Sequence, residues 1–114
     1  MTRNDYQLPE GWQRPDAAAA QSLEAELQRE LPQGHLLFGV PVEAFGHSPG
    51  IDDVLFRHQD KPNRFTIVRL TWVGRIEINS QHPIVEFDGT FAEFLEYYEE
   101  FLAFLRGVSK KSRP

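Results

Sequence analysis

The alternation of apolar and polar residues is most regular between Arg64 and Trp72, the longest run of β-forming residues in the chain. Successive side chains of an extended strand point to opposite faces. One face carries Thr66, Val68, Leu70 and Trp72, and the other carries Phe65, Ile67, Arg69 and Thr71. The pattern predicts a central strand that is buried on both faces, and Arg69 is the residue that departs from it.

Shorter apolar segments predict further strands on either side of this one. They are Leu36–Phe38, Pro41–Phe45, Asp53–His58, Ile76–Ile78 and Ile84–Phe87. Because the connections are short, we expect consecutive strands to pair antiparallel. A register that places Val54 opposite Leu70 gives one consistent apolar face, and it puts Arg57 and Arg69 together on the other face.

The first helix is predicted to follow Asp16 and to end near Leu31, where Pro32 and Gly34 stop it. Its apolar stripe is narrow and consists of leucine and alanine. Since alanine favours the helix by propensity but buries little area, this helix depends on docking against the rest of the protein.

The second helix is predicted to begin at Thr90, with Glu93 at the spacing of a capping box, and to end at Gly107. Its apolar residues recur every three or four positions, as in a helix that packs on a core. The stripe is wider than one docking face requires. The excess apolar residues are Tyr97, Phe104 and Val108. They predict a second contact, either with the first helix or with another chain.

Together these elements predict an α+β fold, with a three- to four-stranded antiparallel sheet, the C-terminal helix packed on one face and the N-terminal helix beside it. We expect the C-terminal helix to cover the face of Val68 and Leu70. A length of 114 residues predicts a single domain over 1–114. Residues 1–15 are predicted to form an irregular arm, and residues 109–114 a disordered tail.

Composition narrows the possible functions. The chain has no cysteine, which excludes disulfides, thiolate metal sites and thiol nucleophiles. Residues 1–105 contain eight basic and seventeen acidic residues, so we expect no nucleic-acid partner, because an acidic body repels phosphates. The apolar runs are far shorter than the ~20 residues of a membrane span. The polar N-terminus resembles neither a secretory signal nor a transit peptide, which favours a cytoplasmic location.

Arg57 and Arg69 are candidate ligand-binding residues, because two guanidinium groups on one sheet face suit a carboxylate or phosphate. Trp72, at the strand end, is a candidate stacking surface or a core residue. The alternative for the arginines is an internal ion-pair network or a solvated sheet face. Its acids would be Asp53, Glu43 or Glu77.

Among the four histidines, His58 is a candidate ligand-binding residue, and His47 lies on the neighbouring predicted strand. His82 lies near Glu86 and Asp88, a polar group that suits acid–base chemistry. None of them has the spacing of a metal-binding motif, and ordinary loop and strand histidines are the simpler interpretation. We therefore predict no catalytic residue, no metal site and no cofactor.

The acidic residues of the second helix lie opposite its apolar stripe. They are Glu93, Glu96, Glu99 and Glu100. Without a Glu-x-x-His companion, this arc does not resemble a carboxylate metal site. It is a solvated face or a patch for a basic partner, since a surface of one sign steers association.

Three segments resemble a family of small uncharacterised bacterial proteins, in which a "DVLF" strand precedes an "LTWxG" strand and a terminal "FxxF" stretch follows. The segments are residues 37–42, 52–57 and 68–77, and the resemblance spans about Leu36 to Leu95. It implies no activity or ligand, and it does not cover the N-terminal arm and helix.

The sequence therefore favours a non-enzymatic protein-interaction module, such as an immunity- or regulator-like binder. The alternative is a small enzyme or ligand-binding domain that uses Arg57 and Arg69 together with Trp72 or His58. A homodimer formed through Tyr97, Phe104 and Val108 is compatible with either hypothesis. The partner would be another protein or a second copy of the chain.

Overall fold

The computed structural model describes residues 6–48, 53–72 and 82–107. These residues form helices and strands in the following order: α1 (Ala17–Glu30), β1 (Val42–Ser48), β2 (Asp53–His58), β3 (Phe65–Arg69), β4 (Ile84–Gly89) and α2 (Phe91–Leu105). The strands pair antiparallel in one sheet with the order β1-β2-β3-β4. The predicted α+β class is confirmed.

The sheet has two different faces, and each is covered by one helix. The face beneath α1, here called the aliphatic face, packs Leu23, Leu27, Leu31, Leu37, Val42, Ala44, Val54, Phe56, Val68 and Leu70. The face beneath α2, here called the aromatic face, packs Trp12, Phe45, Leu55, Phe65, Ile67, Phe91, Phe94 and Tyr98. The sheet therefore lies between the two helices.

This placement differs from the expectation that α2 covers the face of Val68 and Leu70, which α1 covers instead. The register also differs, because Val54 pairs with Val68 and not with Leu70. A shift of two residues leaves every side chain on the face that its alternation predicts. Since both faces of the central strands are apolar, alternation alone does not determine which helix covers which face.

Two strand boundaries differ for reasons of hydrogen bonding. The segment Leu36–Phe38 forms turns, in which the Phe38 N–H donates to the His35 carbonyl at 3.0 Å. Strand β3 stops at Arg69, because the N–H groups of Thr71 and Trp72 donate to the Glu30 carboxylate at 2.9 and 2.6 Å. The predictions for Ile76–Ile78 and for residues 109–114 fall outside the described residues.

Helix α2 begins with the predicted capping box, and α1 begins directly after Asp16, as predicted. Asp16 accepts a hydrogen bond from the Ala19 N–H at 2.8 Å and caps α1. At α2, the Glu93 N–H donates to Thr90 Oγ1 at 3.1 Å, and the Thr90 N–H donates to Glu93 Oε1 at 2.9 Å. Gly107 follows α2 with a φ of 78°, a left-handed conformation that suits glycine. Neither described helix has the length and apolar character that a membrane crossing requires.

The described part of the N-terminal arm, residues 6–15, packs along the aromatic face. The Tyr6 ring stacks on Phe91 at 4.7 Å between centroids, and the Trp12 ring meets Phe94 edge-on at 5.4 Å. Gly46 leaves room for this arm, because a Cβ at that position would lie 3.1 Å from the Leu8 side chain. The arm thereby adds aromatic area to the core between the sheet and α2.

Candidate functional site

Arg57 and Arg69 project from the same sheet face, as predicted, but they lie at its two ends. Arg57 pairs with Phe65, whereas Arg69 pairs with Asp53. They are thus four residues apart along β2, about 13 Å at 3.3 Å per residue. Two guanidinium groups at this separation do not bind one small anion together.

Each arginine has its own partners. Arg57 Nε donates to the Pro62 carbonyl at 2.7 Å, and the guanidinium lies 5.4 Å from the Tyr6 ring centroid, where it helps to hold the arm. Arg69 Nε donates to Asp53 Oδ1 at 3.0 Å, and its Nη2 lies 3.6 Å from Glu86. Hydrogen bonding to Asp53 raises the pKa of Arg69. Arg69 thus belongs to an internal ion-pair network, the alternative that the sequence offers to a ligand-binding site.

Trp72 lies shortly after β3, beside the end of α1. Its side chain is 48% exposed and its φ is 60°, so it is not part of either core cluster. Glu30, completely buried, accepts the backbone N–H of Trp72 and holds the chain in this left-handed turn. The ring remains available for stacking, but the structure does not bring it together with Arg57 or Arg69.

Glu30 belongs to a buried carboxyl pair that sequence reasoning missed. Glu26 is 2% exposed and accepts two hydrogen bonds from Arg29, at 3.1 Å from Nε and 2.7 Å from Nη2. Burial and the hydrogen bond with Glu26 raise the pKa of Glu30 to about 7, although two backbone donors oppose this. The available signal was the spacing of four residues between the two acids, which flank Leu27 on the buried side of α1.

A second polar group crosses three strands on the aliphatic face. It comprises His58, Arg64, Thr66 and Asp88, here called the His58 cluster. His58 Nε2 lies 2.8 Å from Thr66 Oγ1, and the Thr66 hydroxyl donates to Asp88 Oδ1 at 2.7 Å. Arg64 Nε donates to Asp88 Oδ1 at 2.9 Å, and its Nη2 contacts Oδ2. Antiparallel pairing places these residues together although they are distant in sequence.

The charges of the His58 cluster follow from its hydrogen bonds. Burial alone would raise the pKa of Asp88, but its bonds with Arg64 and Thr66 prevail and lower it. Burial lowers the pKa of His58, although Asp88 opposes this shift. Since the Thr66 proton is given to Asp88, the His58 Nε2–H donates to Thr66, and the neutral ring keeps its lone pair on Nδ1. Thr66 is completely buried, so its hydroxyl is not an accessible nucleophile.

A cleft of about 200 Å³ adjoins this cluster. We call it the His58 cleft, and its lining residues are Leu36, Val40, His58, Asp60, Lys61 and Arg64. It combines an apolar wall with charged groups of both signs. This combination suits recognition of a small polar molecule.

A wider groove of about 310 Å³ runs along α2. We call it the α2 groove, and its lining residues are Pro9, Leu95, Glu96, Tyr98, Glu99 and Leu102. Leu95 is 39% exposed, and Phe104 and Leu105 beyond it are 74% and 62% exposed. Apolar side chains thus remain exposed on α2 after the aromatic face is filled. Phe104 belongs to the predicted excess of the stripe, whereas the spacing of Leu95 and Leu105 predicts that they face the core.

The three predicted interface residues have different environments. Phe104 is exposed at the end of α2. Tyr97 instead packs on Phe87, at 5.3 Å between ring centroids, and burial raises the pKa of its hydroxyl. Val108 lies outside the described residues.

The histidines and acids do not assemble a metal centre in the part of the chain that the structure describes. His47 and His58 lie at opposite ends of the pairing between β1 and β2. Glu86 and Asp88, which the sequence grouped with His82, contact different arginines. No family model, curated protein or solved structure matches this chain. Its function is therefore inferred from its own geometry.

Proposed function

We propose that this chain is a non-enzymatic protein-interaction module that binds a basic, partly apolar segment of another protein in the α2 groove. The observation that carries the proposal is the apolar surface of Leu95 and Leu102 beside the acidic side chain of Glu96. Apolar residues exposed next to charges of one sign are typical of a surface that docks a partner.

The spacing of the groove residues favours a helical partner. Leu95 and Leu102 are seven residues apart, which places them on the same side of α2. An amphipathic helix lying along α2 would bury its own apolar stripe against them. Phe104 and Leu105 extend the apolar surface past the end of the groove.

Charge favours a different protein over a second copy of this chain. The net charge is −5, and the outward arc of α2 carries several glutamates. In a twofold homodimer the same patch meets itself, so the acidic arcs would repel each other. A basic partner instead gains from this charge, which raises its association rate. A bacterial, cytoplasmic regulator or immunity-like protein is the role that accords with such a surface.

The test uses two designed amphipathic helices, one of leucine and lysine and one of leucine and glutamate. In NMR titrations, the lysine helix should shift the amide signals of residues 95–102. Added salt should weaken the binding of this helix. The double variant Leu95→Ser/Glu96→Lys should lose about tenfold or more in affinity, because it removes apolar area and reverses one charge.

The control is Leu36→Ser/Gln28→Lys, which removes an exposed leucine and adds a positive charge on the other side of the molecule. It should alter the affinity by less than about twofold. Equal losses in the two variants, or equal binding of the glutamate helix, would show that the α2 groove is not a docking site. If sedimentation shows a stable dimer and the Phe104→Ser variant is a monomer, this surface serves self-association instead.

A further inference from the structure

The rim of the His58 cleft carries one charge of each sign. Asp60 and Lys61 are adjacent in the connection between β2 and β3, and both are exposed and line the cleft. Within the described ranges neither side chain has an ion-pair partner. A free carboxylate and a free ammonium group therefore lie at the mouth of the same cleft.

The backbone fixes the position of this rim. The His58 N–H donates to the Arg64 carbonyl at 2.9 Å, and the Arg64 N–H donates to the Lys61 carbonyl at 2.7 Å. The Gln59 N–H donates to the Pro41 carbonyl at 2.9 Å, which ties the connection to the segment before β1. A binding group on a constrained turn loses less entropy when a ligand binds.

The inner charges of the cleft neutralise each other. Arg64 forms its ion pair with Asp88, and His58 is hydrogen-bonded to Thr66 while burial lowers its pKa. Among the described residues that line the cleft, the charged groups without an ion-pair partner are thus Asp60 and Lys61. A simple anion would be attracted by Lys61 but repelled by Asp60. A simple cation would be attracted by Asp60 but repelled by Lys61.

One wall of the cleft is apolar and partly exposed. Leu36 is 50% exposed in the turn segment after α1, and Val40 is half-buried beside the aliphatic face. A ligand with an aliphatic group would cover this wall. At about 200 Å³ the cleft is smaller than sites for drug-sized molecules, so it selects a small ligand.

We propose that the His58 cleft binds a small zwitterion, namely an amino acid with an aliphatic side chain. Lys61 contacts its carboxylate, Asp60 contacts its ammonium group, and Leu36 and Val40 pack on its side chain. This site is separate from the α2 groove, and its test does not depend on the proposed protein partner.

The experiment compares three probes by NMR titration at neutral pH: leucine, 4-methylpentanoate, which lacks the ammonium group, and 3-methylbutylamine, which lacks the carboxylate. Leucine should shift the signals of Val40, His58 and Lys61, and it should bind about threefold to fivefold more tightly than either analogue. This range follows from the modest value of a solvent-exposed ion pair.

Two variants separate the roles of the rim charges. Asp60→Asn should remove the preference for leucine over 4-methylpentanoate, and Lys61→Gln should remove its preference over 3-methylbutylamine. Leu36→Ser should weaken all three probes, whereas the control Gln28→Ser, on the exposed side of α1, should leave them unchanged. The proposal is wrong if the three probes bind with equal affinity or if the shifted signals lie outside the cleft. It is also wrong if leucine does not saturate the protein by about 50 mM.

Discussion

The two helices use their acidic residues in opposite ways. On α1, Glu24 and Glu30 face the sheet and accept backbone N–H groups, with Glu24 Oε2 2.8 Å from the Ala44 nitrogen. On α2, Glu93 completes the cap, whereas Glu96 lines the outer groove. The same residue type thus completes hydrogen bonding on one side of the sheet and forms a charged surface on the other. A count of charges along the sequence does not distinguish these roles.

The two faces of the sheet also differ in how completely they are covered. The aliphatic face is closed by α1 and by the turn segment that contains Leu37. The aromatic face needs both α2 and the arm residues Tyr6 and Trp12, and α2 still exposes apolar side chains beyond the sheet. The proposed docking groove therefore lies on the α2 side, and the His58 cleft lies at the edge of the aliphatic side.

The largest effect should come from removing the ring at the centre of the aromatic face. Phe94→Ala should cost about 3–5 kcal/mol in the free energy of unfolding, and Leu27→Ala on the aliphatic face about 2–5 kcal/mol. Phe94 contacts rings of the arm, of β4 and of α2, so its loss disturbs three elements. Chemical denaturation measures both values.

Trp12 fluorescence distinguishes the two faces in the same variants. In a Trp72→Phe background, Phe94→Ala should shift the Trp12 emission to longer wavelength, because the indole loses its edge-on neighbour. Leu27→Ala should leave the emission of the folded protein unchanged. If Leu27→Ala shifts it equally, the two faces do not form separate cores.

The buried carboxyl pair predicts a pH dependence that originates on the α1 side. The pKa of Glu30 is raised from 4.5 to about 7, so the folded protein holds this proton more tightly than the unfolded chain does. Its stabilising contribution is full below pH 4.5 and disappears as the pH rises through 7. The loss should be on the order of 3 kcal/mol, because a shift of one pKa unit corresponds to about 1.4 kcal/mol.

Glu30→Gln should abolish this decline, because an amide does not ionise. The lowered pKa of His58 gives stability the opposite pH dependence. The contribution of neutral His58 to the free energy of unfolding is present above pH 6.5 and is lost as the pH falls through the pKa of the folded state. The variant should therefore become more stable, not less, as the pH rises through this window. Denaturation at several pH values measures the slope, and a wild-type slope that persists in the variant contradicts the assignment to Glu30.

The smallest effect concerns the two helix caps. Thr90→Ala removes the Oγ1 acceptor of the capping box but keeps the backbone N–H that donates to Glu93, and Asp16→Ala removes a single side-chain cap. Each should cost about 1 kcal/mol, because each leaves one N–H group of the first helical turn without its side-chain acceptor. Thermal denaturation compares them. A larger loss at Asp16 would show that α1, whose stripe is narrow, depends on its cap more than α2 does.

Local signals in the sequence predicted most of the fold. Spacing and alternation alone predict the capping box of α2, the start of α1, the strands β2 and β3 and the shared face of Arg57 and Arg69. Alternation has a period of two, so it survived the error in register. The end of β3 was not predictable in this way, because it depends on Glu30, which is some 40 residues distant in the chain.

The candidate sites required contacts between residues that are distant in sequence. His58 was a candidate from the start, but its partners Thr66 and Asp88 are defined only by the pairing of β2, β3 and β4. The His58 cleft also needs Leu36, which the sequence placed in a strand and the structure places in a turn. The wide stripe of α2 predicted the exposure of Phe104, but Leu95 and Leu105, which the same spacing assigns to the core-facing side, are exposed as well.

The positions of Gln13 and Glu24 have a consequence for aggregation. Strand β1 is an outer strand of the sheet, and such a strand offers unpaired backbone groups to strands of other molecules. Here Gln13 exchanges backbone hydrogen bonds with His47, both at 2.9 Å, and Glu24 occupies the Ala44 N–H. These contacts cap β1 against the addition of a further strand, so aggregation through this edge of the sheet is disfavoured.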